Sequence, residues 1–141
     1  MVREQRCILC DLVAGDAERS LVYDDETCVV VMDIAPVNPG HAMVIAREHI
    51  QHVADLSEET WLAMCSVAKR LEAAIRASGL KCEGTNLLLA DGEAAFQEVP
   101  HAHLHVLPRF EGDSFKIDAD WSKVPSREEL DEAASMIAER F

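Results

Sequence analysis

The chain has 141 residues, enough for one domain with a substantial hydrophobic core. Hydrophobic and charged contents of 49% and 28% are those of a globular protein, and no apolar run is long enough to cross a membrane. The net charge of -13, from 26 acids against 13 Lys and Arg, argues against wrapping DNA or RNA, yet leaves room for a small phosphate ligand held by local donors.

The N-terminal "MVREQRCILC" is charged and then structured, with no signal-peptide core, which places the protein in the cytoplasm. Five cysteines, an odd number, do not suggest a disulfide framework. Cys28, Cys65 and Cys82 read as reduced, partly buried thiols. Cys7 and Cys10 form a C-x-x-C pair, either half of a structural zinc site or two reduced thiols; no βαβ context supports a redox motif.

"SLVYDDETCVVVMDI" (20–34) predicts a hairpin around Asp24-Asp25-Glu26. "APVNPGH" is a loop and "AMVIA" (42–46) a short strand. Ser57 reads as an N-cap with Glu58 and Glu59 behind it. Apolar residues at 61, 64, 65, 68, 71 and 75 then predict a long helix that stops at Gly79. "TNLLLA" (85–90) is a strand, "DGEAAFQE" a loop, and "HAHLHVLP" another strand. Ser126 and Glu129 predict a capping box that starts a terminal helix running to Arg140. Paired strands flanking helices, not alternating βαβ units, predict an α+β fold: about five antiparallel strands, one long central helix and a C-terminal helix.

The chemistry concentrates in "HAHLHVL". On a strand, His101, His103 and His105 share one face while Ala102, Leu104 and Val106 share the other. The apolar set can pack on a core, leaving the imidazoles to line a groove. Residues two apart lie roughly 6.5–7 Å from each other, which suits several rings meeting one ligand rather than one another. A ring with an ordinary pKa near 6.5 can be a neutral nucleophile while its neighbour donates a proton. Three histidines of one strand suit a tetrahedral zinc site poorly, because strand spacing splays their nitrogens. Taken by themselves, Asp33 could simply end a strand, His41 could be a turn residue, and Ile8, Leu9 and Ile34 could be core; Gln97 alone says nothing.

"HAHLHVL" (101–107) resembles the signature of the histidine triad (HIT) superfamily, His-x-His-x-His followed by two apolar residues. The resemblance extends over about 5–110, through "CILCDLVAGDAERSLVYDDE", "MDIAPVNPGHAMVIAREHI" and "DGEAAFQEVPHAHLHVLPRF". It implies a single HIT domain over 1–141 with a C-terminal extension from 111. It also implies hydrolysis of nucleoside 5'-monophosphate conjugates, phosphoramidates or similar and most simply of purines, through a covalent nucleotidyl-histidine. His103 is then the nucleophile, His101 orients the neighbouring rings, and His105 and His41 contact the phosphate. Asp33 accepts from the ribose hydroxyls, Ile8, Leu9 and Ile34 form the base slot, Gln97 lies near the phosphate or leaving group, and Glu98 stands where relatives carry a serine or an acid. Some bacterial relatives complete the Cys7–Cys10 pair with two histidines, here His49 and His101, into a structural zinc site; catalysis needs no cofactor.

A homodimer is implied as well. Dinucleoside polyphosphate hydrolysis of the fragile-histidine-triad type, or nucleotide binding with little turnover, are the alternatives. His105 argues against the uridylyltransferase type, which lacks the third triad histidine. Two departures stand out from the family pattern: Ala90 replaces a usual asparagine, and Phe96 a usual glycine.

Overall fold

A computed structural model describes residues 6–141; the first five residues of the expected domain lie outside the described ones. A five-stranded antiparallel sheet carries the order β1-β2-β3-β5-β4, with β1 Leu21–Asp24, β2 Cys28–Met32, β3 Ala42–Ala46, β4 Gly84–Leu88 and β5 His103–Arg109. Helix α1 is Ile8–Ala14, α2 is Glu58–Ala77 and α3 is Arg127–Ala138. The expected α+β architecture, with its long central helix and C-terminal helix, is what folds.

The sheet is buried on both faces at its centre, which explains the unbroken apolar runs "CVVVM" and "AMVIA". Cys28, Val30, Ala42, Val44 and Ala46 meet α2 on one face, joined by Ala102, Leu104 and Val106 from β5 and the segment before it. Val29, Val31, Met43 and Ile45 meet Leu9 and Val13 of α1 on the other. Strand alternation therefore sends the β5 residues between the apolar ones, His103 and His105, to the α1 face. Register fixes their neighbours: His103 lies opposite Ile45 and His105 opposite Met43.

Helix α2 starts as its sequence predicts, with the Ser57 hydroxyl accepting from Thr60 N–H at 3.2 Å. Its buried stripe is Thr60, Met64, Val67, Ala68, Leu71 and Ile75. Cys65 departs from expectation. It is exposed, and Val67 takes the core position instead, because the stripe turns toward the other flank of Met64. Helix α1 was not evident from the sequence, since seven residues show no full helical period. Helix α3 begins with the complete Ser126–Glu129 capping box, yet all of its residues are exposed.

Met64 is completely buried beneath the sheet. Met64→Ala should therefore cost about 2–5 kcal/mol of stability, read as a lower urea midpoint at unchanged slope. A loss below about 1 kcal/mol would mean that the α2–sheet contact is not the principal core.

Candidate functional site

The loop between β2 and β3 builds one side of the site. Asp33 N–H donates to His41 carbonyl at 3.0 Å, so the two residues face each other across the loop's base. Gly40 has φ +100, and a Cβ there would approach Leu80 Cδ1 to 2.9 Å and Pro108 Cγ to 3.1 Å. Glycine is thus required for the turn that delivers His41. His41 shares the α1 face with Met43, and its Nε2 reaches His105 Nδ1 on β5 at 2.8 Å.

The hydrogen-bond directions around this pair are determined. Val37 N–H can only donate, and it contacts His41 Nδ1 at 3.0 Å. Burial holds His41 below the usual imidazole pKa, partly opposed by Asp33. The neutral His41 ring consequently carries its proton on Nε2 and passes the hydrogen bond to His105 Nδ1. His105 is pushed down to about 4 by burial first, then by His103 and His41. It too is neutral near pH 7, with its proton on Nε2.

Asp33 Oδ1 accepts from Ala35 N–H at 2.8 Å, while Oδ2 lies 3.4 Å from His41 Nε2 and 3.7 Å from His105 Nδ1. The expected strand-ending turn and the site carboxylate are the same residue. Asp33, His41 and His105 have cation-ligand spacing, but His41 cannot offer a lone pair at Nε2 while Nδ1 accepts from Val37. The arrangement is a hydrogen-bond relay.

His103 N–H at Nδ1 donates to the His101 carbonyl at 2.7 Å, which leaves the Nε2 lone pair free. Of the three triad imidazoles, His103 and His105 line the cavity. The strand begins at His103; His101 precedes it, and its ring is completely buried against the cysteines at the start of α1. Its main chain, not its ring, orients His103.

The His101 ring belongs to a second cluster. Its Nε2–H donates to Ala46 carbonyl at 2.6 Å, which leaves the Nδ1 lone pair facing Cys7 Sγ and Cys10 Sγ, each at 3.5 Å, and His49 Nδ1 at 3.3 Å. Cys10 Sγ lies 3.1 Å from His49 Nδ1. Ligands held at about 2.0–2.1 Å (N) and 2.3 Å (S) by a tetrahedral zinc ion stand roughly 3.3–3.8 Å apart. The four groups therefore have the right chemistry, spacing and tautomer, and the Ala46 carbonyl is an orienting outer partner. Burial, then the neighbouring Cys7, push the Cys10 thiol up when no cation is present.

A cavity of about 560 Å³ opens over the α1 face. His103, His105 and Asp33 line one region of it; Ile8, Leu9, Leu12 and Ile34 line an apolar slot continuing toward Glu18 and Arg19. Ile34 is 97% exposed, so this slot side has no core role. Leu12 was not singled out in the sequence; only α1, once formed, places it beside Ile8. Glu98 and Phe96 also line the cavity, but Gln97 does not. Gln97 is buried, and its amide is spent on main chain: Oε1 accepts from Gly92 N–H at 2.9 Å and Nε2 donates to Gln51 carbonyl at 3.0 Å. Its amide thereby anchors the loop before β5.

A family model described as the HIT domain matches residues 14–112. The protein hit of Bacillus subtilis is 36% identical, covering 97% of this chain and 95% of its own. An adenosine 5'-monophosphoramidase of Schizosaccharomyces pombe is 31% identical over 88% of this chain and 90% of its own. The crystal structure of a zinc-bound histidine triad family protein from Mycobacterium smegmatis superposes with a TM-score of 0.74 at 38% identity, covering 96% of this chain and 97% of that one.

The buried neutral rings predict a pH dependence. An unfolded histidine gains its proton near 6.5, whereas folded His105 does so only near 4. Between those values the unfolded chain binds more protons, so stability should fall as pH falls from about 6.5 toward 4. In chemical denaturation across that window, His105→Asn should have the shallower slope; identical slopes would contradict the neutral relay.

Proposed function

The chain belongs to the HIT domain family, and from that footing we propose that it hydrolyses nucleoside 5'-monophosphate conjugates, phosphoramidates or similar, through a covalent nucleotidyl-histidine on His103. The observation that carries this reading is the His103 tautomer. With Nδ1–H held by a carbonyl, the lone pair of Nε2 is presented at the cavity. A relative named as an adenosine 5'-monophosphoramidase supports the reaction class.

In this reading the base, most simply a purine, enters the slot of Ile8, Leu9, Leu12 and Ile34. The ribose hydroxyls donate to Asp33, and the α-phosphate lies against His103 and His105. The Nε2 lone pair of His103 forms the N–P bond, and the bond to the leaving group breaks with its electron pair, which takes up a proton. His105, kept neutral by burial and tied to His41, donates from Nε2 to a phosphoryl oxygen. Water then attacks phosphorus, the electron pair returns to His103, and the nucleoside monophosphate leaves. Glu98 borders the leaving-group side, and Gln97 positions the loop. His101 positions the nucleophile through its carbonyl.

His103→Ala should lower turnover by roughly 10⁴-fold or more and abolish an acid-labile nucleotidyl label on the protein. Equal labelling of both proteins would overturn the assignment. Comparing an adenosine phosphoramidate with a dinucleoside polyphosphate separates this reading from the polyphosphate alternative; binding without turnover of either leaves a nucleotide-binding protein.

Cys7, Cys10, His49 and His101 are proposed to hold a structural zinc ion, which would supply a crosslink between α1 and the ends of β3 and β5. Native mass spectrometry should give one zinc per chain, lost with chelator and in Cys10→Ser, with a lower melting temperature in both cases. An unchanged mass after chelation would remove the metal. The exposed apolar residues of α3, Leu130, Met136 and Ile137, and the edge strand β4 support a homodimer. No described helix is long and apolar enough to cross a membrane; the acidic balance supports a small-molecule partner rather than nucleic acid, and a cytoplasmic location remains part of this reading.

A further inference from the structure

Phe96 and Glu98 line the same cavity as His103, two side chains that the chemical step does not require. Phe96 is 88% exposed and has φ 65, a left-handed conformation that is strained for a bulky aromatic residue. Anchors on both sides impose it. Phe96 N–H donates to Glu93 carbonyl at 3.0 Å, Gln97 N–H to Gly92 carbonyl at 3.1 Å, and the Gln97 amide ties the loop to Gln51. Before them, Asp91 Oδ2 accepts from Val53 N–H at 3.0 Å and its Oδ1 lies 2.6 Å from His52 Nδ1. A large apolar ring is thus held rigidly in the open at the cavity wall, where burial offers it nothing.

Charge narrows what can lie there. The charged lining residues are Glu18, Arg19, Asp33 and Glu98, and Arg19 is turned to the end of α1, donating to Leu12 carbonyl at 2.6 Å. Among the described lining residues Arg19 is the sole Lys or Arg, and its guanidinium is engaged by the Leu12 and Val13 carbonyls rather than placed beside Glu98. A pyrophosphate or other strongly anionic leaving group would approach a carboxylate within a chain of net charge -13 without a compensating cation.

The geometry points to a leaving-group subsite in which Phe96 stacks on a flat ring and Glu98 excludes negative charge, so that the preferred conjugate carries an aromatic, non-anionic leaving group. This rests on the nucleotide reading of the cavity. Both side chains act on affinity and selectivity, with His103 keeping the chemistry.

The probes are adenosine 5'-phosphoramidates of tryptamine, propylamine and β-alanine, offered to the full chain. Affinities are measured on the His103→Ala background, where nothing is cleaved, and KM and kcat on the chain with His103 intact. The tryptamine conjugate should bind about threefold to tenfold tighter than the propylamine one. The β-alanine conjugate should bind at least about threefold more weakly than the propylamine one. Phe96→Gly should bring the first ratio to about one, and Glu98→Gln the second. Glycine suits φ 65, so the first variant is expected to fold, with circular dichroism as the control.

Ratios near one in the parent protein, or ratios that survive both substitutions, overturn the subsite even if all three conjugates are hydrolysed. Binding ratios that collapse as expected without turnover of any conjugate uphold the subsite and overturn the hydrolase reading instead.

Discussion

The site depends on the register between β3 and β5. With Ile45 opposite His103 and Met43 opposite His105, every second residue of β5 faces α1, and the residues between them pack under α2. A slip of one position would drive the imidazoles into the α2 core and expose Leu104 and Val106. Such a slip is opposed by the apolar residues of β2 and β3, which are buried on both faces and have no alternative environment. Core packing and the presentation of His103 and His105 to the cavity are therefore the same constraint, expressed on opposite sides of one strand.

Beyond that register, hydrogen bonds choose between chemistries that the residue types alone leave open. Two clusters of histidine with acid or thiol have ligand-like spacing. A main-chain donor occupies Nδ1 of His41 in one of them, while a main-chain acceptor occupies Nε2 of His101 in the other. The first ring must pass a proton along, and the second must offer a lone pair. An N–H and a C=O of the backbone thus separate a relay from a cluster whose lone pairs converge.

Much of this was legible in the sequence, because it rests on periodicity. The alternation of Ala102, Leu104 and Val106 with histidines placed the core face of β5, and Ser57 with the spacing from Trp61 to Ile75 marked α2. Residues in short or irregular segments were not legible in the same way. Alternation extended backward from His103 gave the face of the His101 ring, but not its burial against the cysteines of α1 in place of the cavity. Gln97 carries no pattern at all; its partners, Gly92 and Gln51, are main-chain groups whose position depends on the folded loop. Cys65 and Val67 flank the same stripe of α2, and only the packed sheet decides which flank is covered.

His101 joins the two halves of the molecule through different atoms. Its side chain sits with the thiols at the start of α1, and its carbonyl holds the ring that faces the cavity. A substitution here removes the ring that touches Cys7 and Cys10, while the peptide oxygen that holds His103 Nδ1 remains chemically present. The distinction lies within one residue, between what a mutation can remove and what the backbone retains.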